Sequence, residues 1–126
     1  LQTGNPIDGV ILTHGTDTMA ETARYLAQDN TTTRNRSVPI VITGSMRPER
    51  FSNSDADCNL GMAIAAVQTA PDGFVGICMH GLVLSHDAVD RDLQTGKFIK
   101  RAVKTDRSDC YDARMNPSNT RNKKAI

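Results

Sequence analysis

The 126-residue chain reads as an α/β fold, a parallel sheet flanked by helices. Apolar runs of strand length recur at Gly9–Thr13, Pro39–Thr43 and Phe74–Met79, and each ends in a small or polar turn segment. Two stretches of helical hydrophobic period separate them. This alternation is the mark of βαβ units, so the three strands are expected to be parallel neighbours, joined by right-handed crossovers.

The first strand is Val10–Thr13, and a helix follows from about Met19 to Ala27, with Met19, Ala23, Leu26 and Ala27 on one face. Thr18 and Glu21 stand in capping-box spacing, which leaves Thr16 and Asp17 in the turn between strand and helix. In a parallel sheet that turn lies at the carboxyl end of the strand, where open α/β folds bind ligands. The connector from Asp29 to Ser37 is polar, and its two Asn-x-Thr/Ser triplets carry no weight on their own.

The second strand, Pro39–Thr43, runs into Gly44-Ser45-Met46-Arg47-Pro48, where Gly44 lets the backbone approach a ligand closely. Ser54 and Asp57 repeat the capping-box spacing ahead of a helix from about Asp55 to Thr69, with Leu60, Ala63, Ile64 and Val67 as its expected apolar face. Pro71-Asp72-Gly73 ends it. The third strand closes at His80-Gly81, and Leu82-Val83-Leu84 continues it or forms a short extra strand. Gln94-Thr95-Gly96-Lys97 reads as an exposed turn.

Composition narrows the function classes. Apolar residues are 38% and aromatics 4%, so the core is aliphatic, and a net charge of +1 gives no reason to expect a nucleic acid or a membrane surface as partner. No apolar run approaches the ~20 residues of a membrane span. Cys58, Cys78 and Cys110 lack metal or redox spacing and read as reduced thiols, which fits a cytoplasmic location. Asp55 and Asp57 read as helix-start caps rather than a metal pair, and His80 and His86 have no zinc-ligand spacing.

The run His14-Gly15-Thr16-Asp17-Thr18-Met19-Ala20-Glu21-Thr22-Ala23 resembles the second threonine motif of the bacterial-type L-asparaginases. Thr43-Gly44-Ser45-Met46-Arg47-Pro48 is similar to that family's Gly-Ala-Met-Arg-Pro strand end, and Ser54-Asp55-Ala56-Asp57-Cys58-Asn59-Leu60 to its next helix start. Order and spacing agree from about Ile7 to Gly81. The resemblance implies a Rossmann-like sheet and a cofactor-free amidohydrolase that converts L-asparagine, or less readily L-glutamine, to the acid and ammonia. It implies a catalytic role for Thr16, with Lys104 of the Lys104-Thr105-Asp106-Arg107-Ser108-Asp109 segment as its base. It also implies substrate contacts at Gly15, Asp17 and the main chain of Ser45, and a homo-oligomer acting on an amino-acid amide.

Two departures qualify the match. The interval from His80 to Lys104 is about a dozen residues longer than the family pattern, and no Thr-Gly-Gly-Thr segment, the family's first nucleophile motif, is present. Residues 1–113 are therefore expected to form part of an asparaginase-type N-terminal domain, with 114–126 as a disordered basic tail, and this stretch alone is expected to hydrolyse asparagine poorly. Two other functions share these motifs: the ammonia-releasing subunit of a tRNA-dependent amidotransferase, and a catalytically inactive binding or regulatory module.

Overall fold

The computed structural model describes residues 7–32 and 38–102, with only the backbone of 29–32. Lys104, Cys110 and the basic tail lie outside the described residues. The elements run β1 (Val10–Thr13), α1 (Met19–Thr32), β2 (Ile40–Thr43), α2 (Ala56–Thr69), β3 (Val75–Met79), β4 (Leu82–Ser85), β5 (Val89–Arg91) and β6 (Phe98–Lys100). Helix α1 extends five residues beyond the expected end at Ala27, into the polar segment read as a connector.

One sheet has the order β1-β2-β3-β4, and β5 and β6 form a second, two-stranded one. The pairs β1–β2 and β2–β3 are parallel, as expected, with Leu12, Ile42 and Ile77 in one row across the sheet and Ile11, Val41 and Gly76 in the next. Leu82-Val83-Leu84 belongs to a separate strand, β4, antiparallel to β3. The chain reverses through His80 (φ 54°) and Gly81 (φ 77°). Two consecutive positive φ values are what a two-residue type I′ hairpin requires, so the left-handed backbone at His80 is a turn property.

The two helices cover opposite faces. Leu12, Ile42, Val75, Ile77 and Met79 pack with Met19, Ala23 and Ala27 of α1. Ile11, Val41 and Cys78 pack with Met62, Ala63, Ala66 and Val67 of α2. Because β1, β2 and β3 advance in one direction across the sheet, helices on opposite faces require crossovers of opposite hand. One of the two is therefore the rare left-handed kind, which corrects the expectation that both are right-handed. The arrangement covers β3 on both faces, and all five of its residues are buried.

The face that α2 turns inward also differs from expectation. Asn59 and Ala63 are buried, whereas Leu60 is 41% and Ile64 47% exposed. The β5–β6 hairpin is more than a surface turn. Val89 and Phe98 are buried in the core cluster that α1 completes, while Ile99 and Lys100 of β6 and most of the turn between the strands face solvent.

Candidate active site

The carboxyl ends of β1 and β2 open into a cleft of about 540 Å³ whose lining includes Thr13, His14, Gly15, Gly44, Ser45 and Asp57. Its walls come together because Gly44 has no side chain: a Cβ there would lie 2.3 Å from the His14 carbonyl oxygen. The backbone is tied at the same point, where His14 N–H donates to the Thr43 carbonyl at 2.8 Å. Of the residues expected to contact substrate, Gly15 and Ser45 share this cleft. Thr16 and Asp17 lie outside its lining, on the adjoining turn that leads into α1.

His14 braces that turn from within. Its Nδ1 donates to the Gly15 carbonyl at 2.6 Å, and Nε2 accepts from the Thr22 hydroxyl at 3.0 Å. A carbonyl only accepts, so the proton is on Nδ1, and a neutral ring then offers Nε2 to the hydroxyl. The capping box does not form at this end. Among the described residues Thr18 makes no side-chain hydrogen bond, and its carbonyl accepts from Thr22 N–H.

The loop after β2 is held by an acid that sequence spacing assigns to the helix. Asp55 precedes α2 without capping it. Its carboxylate instead accepts from the backbone N–H groups of Met46 at 3.1 Å and Arg47 at 3.0 Å. Ser54 Oγ accepts from Ala56 N–H and donates to the Arg47 carbonyl. Asn59 completes the network: Nδ2 donates to the Gly44 carbonyl at 2.9 Å and to Asp55 Oδ2 at 2.8 Å. Ser45 is thus presented by a loop fastened on both sides.

Burial opposes ionisation of Asp55, but the N–H donors of Arg47 and Met46 and the Asn59 amide outweigh it, so its carboxyl stays below the usual carboxylate range. A carboxyl depressed in the folded state binds fewer protons there than in the unfolded chain, where it titrates near ~3.9. Its stabilisation is therefore full above that value and is lost as pH falls through the folded pKa. Thermal melting of Asp55→Asn against the parent protein is expected to show a gap that is widest near neutral pH and closes below about pH 4. A gap independent of pH would remove the carboxylate from the account.

The turn carrying Thr16 and Asp17 is held from across the fold by Arg91 of β5, a residue for which the sequence offers no signal beyond alternating charge. Arg91 Nη1 donates to the Thr16 carbonyl at 3.0 Å and to Asp17 Oδ1 at 3.1 Å. The Asp17 side chain is 94% exposed, so its other oxygen faces solvent. Asn59 is more legible: it is a polar residue in the family-like Asn59-Leu60 pair, four positions after Asp55 on the same helical face. No cluster of three or more metal-ligating side chains occurs among the described residues.

Two βαβ units with a cleft at the strand carboxyl ends, where open α/β folds place their ligands, define the chain as an α/β domain with a candidate ligand cleft. Residues 2–114 match the family described as Asparaginase, N-terminal, and the chain belongs to that family. It is 38% identical over 87 residues to the glutaminase-asparaginase of Pseudomonas aeruginosa, a match covering 68% of this chain and 23% of that protein. It is also 38% identical over 116 residues to a glutamyl-tRNA(Gln) amidotransferase subunit of Methanosphaera stadtmanae, covering 90% of this chain and 24% of the relative. A solved structure, the probable cytoplasmic L-asparaginase of Campylobacter jejuni, superposes with a TM-score of 0.63 at 33% identity, over 77% of this chain and 30% of that one. The chain spans about a quarter of the length of these curated relatives.

Proposed function

We propose that the protein carrying this chain is an asparaginase-type amidohydrolase that releases ammonia from L-asparagine. The observation that carries the reading is the meeting of Gly15 and Ser45 in one cleft beside the exposed Asp17 carboxylate, in a member of the asparaginase N-terminal family. The overall reaction breaks the C–N bond of the side-chain amide, with water supplying the acid's oxygen and ammonia leaving. In this mechanism a threonine oxygen bonds to the amide carbon as the nitrogen departs, and water then cleaves the resulting ester to give the acid and restore the hydroxyl. Thr16 and Lys104 belong to this nucleophilic unit, Lys104, as a neutral amine, taking the hydroxyl proton and passing it to the departing nitrogen. The Ser45 carbonyl accepts from the scissile amide, and Asp17 pairs with the substrate α-ammonium. The same reading carries a homo-oligomer and a cytoplasmic location; the exposed Leu60 and Ile64 of α2 supply apolar surface for such an assembly.

The test is ammonia release from L-asparagine and L-glutamine by the intact protein and by its Asp17→Asn variant. Asparagine retains the shape of the side chain and removes the charge that meets an ammonium. Because a charge-assisted hydrogen bond contributes about 1.5–3 kcal/mol, turnover is expected to fall at least about tenfold with little change in Tm. If Asp17→Asn lowered Tm and left turnover intact, Asp17 would serve structure alone. The amidotransferase component is the second reading, favoured by a match that spans 90% of this chain. Ammonia release that required a partner protein and charged tRNA would select it.

A further inference from the structure

Arg91 joins two separate parts of the fold through three hydrogen bonds. Nε donates to the Gly96 carbonyl at 3.0 Å within its own hairpin. Nη1 reaches the Thr16 carbonyl and the Asp17 carboxylate, 75 and 74 positions away in sequence. Its guanidinium carbon lies 5.7 Å from the centroid of the Phe98 ring, and that ring is buried in the core. Arg91 is itself only 23% exposed, so the fork is set in place by packing before it meets the turn.

We infer that Arg91 is a positioning residue: it sets the Thr16–Asp17 turn and fixes which Asp17 oxygen is free to receive a substrate ammonium. The inference rests on the amidohydrolase reading for its substrate and on the geometry of the turn for the rest. Holding Oδ1 leaves Oδ2 as the available acceptor, in a defined direction. Holding the Thr16 carbonyl limits rotation of the peptide unit that follows Thr16. A lysine ammonium has donors enough for both acceptors but lacks the Nε hydrogen bond to the Gly96 carbonyl that orients the group, so it holds the turn less rigidly. Arginine is therefore the better anchor, by its orientation rather than by its number of donors.

The experiment uses the intact protein as Arg91→Gln and Arg91→Lys, with two readouts. Hydrogen–deuterium exchange over residues 14–19 reports the turn without any need for turnover. Steady-state kinetics compare L-asparagine with succinamate, the same amide without its α-amino group. Arg91→Gln is expected to raise exchange in the turn and to raise KM for asparagine by about tenfold with a smaller change in kcat. The kinetic constants for succinamate should change less than those for asparagine, since only the Thr16 part of the turn bears on that amide, and Arg91→Lys should lie between the parent and Arg91→Gln. Unchanged exchange in the turn, or equal losses on both amides, would overturn the role. A parent protein inactive on both amides would refute the proposed function instead, and the exchange measurement would still decide whether Arg91 holds the turn.

Discussion

Thr16→Ala is expected to lower kcat of the intact protein on L-asparagine by roughly 10³-fold or more, the scale typical of removing a member of a nucleophilic unit. The fold is expected to survive. The Thr16 hydroxyl makes no hydrogen bond among the described residues, and the interaction with Arg91 uses the Thr16 carbonyl, which alanine keeps. A methyl group and a hydroxyl leave a half-buried surface position, so Tm should move by no more than a few degrees. Thr16→Ser, which keeps the hydroxyl, should retain activity within about tenfold. Ammonia release by Thr16→Ala at the parent rate would withdraw Thr16 from the chemistry, whatever became of Asp17.

Gly44→Ala is expected to produce the largest loss of stability of any single methyl addition near the site. The new Cβ would stand 2.3 Å from the His14 carbonyl oxygen and 3.0 Å from Met19 Cε. Met19 can adjust, because its side chain is flexible, but the His14 carbonyl belongs to the backbone tied to β2 by the His14–Thr43 hydrogen bond. Separating the two turns would shift β1 against β2 and disturb the buried Asn59, whose amide is held by the Gly44 carbonyl. We expect a loss of about 3 kcal/mol or more, read as a drop in the denaturant midpoint or as insoluble protein. Gly15→Ala is the matched control: a Cβ there meets nothing within 4 Å, so its cost should stay within about 1 kcal/mol. Comparable losses at Gly15 and Gly44 would show that general rigidity, rather than the close approach of the two turns, sets the tolerance of this cleft.

Several features are written in local patterns. Val10–Thr13, Pro39–Thr43 and Phe74–Met79 read as buried parallel strands because strands covered on both faces are continuously apolar, and each matches the observed strand to within one residue. The turns that carry Gly15 and Ser45 are legible as neighbours because strand ends in a parallel sheet point at one edge, and both line the cleft there. The inward face of α2 is not legible. The helix is apolar nearly all round, so Leu60-Ala63-Ile64-Val67 and Met62-Ala63-Ala66-Val67 are equally good stripes. Its rotation is decided by Asn59, which must reach the Gly44 carbonyl and Asp55 when buried.

What the sequence alone determined about this protein is therefore the three parallel strands, the order of the two helices and the turns that join them, since each depends on residues close together in the chain. The tertiary structure alone decided the opposite hands of the two crossovers, the diversion of Asp55 from helix cap to loop brace, and the reach of Arg91 to Thr16 and Asp17. Those outcomes turn on which groups meet across the fold. A carboxylate takes the best donors within reach, here the N–H groups of Met46 and Arg47, and a guanidinium takes the acceptors that packing sets before it. Neither choice leaves a trace in residue spacing, because the partners are separated by loops whose path is known only once both faces of β3 have been covered.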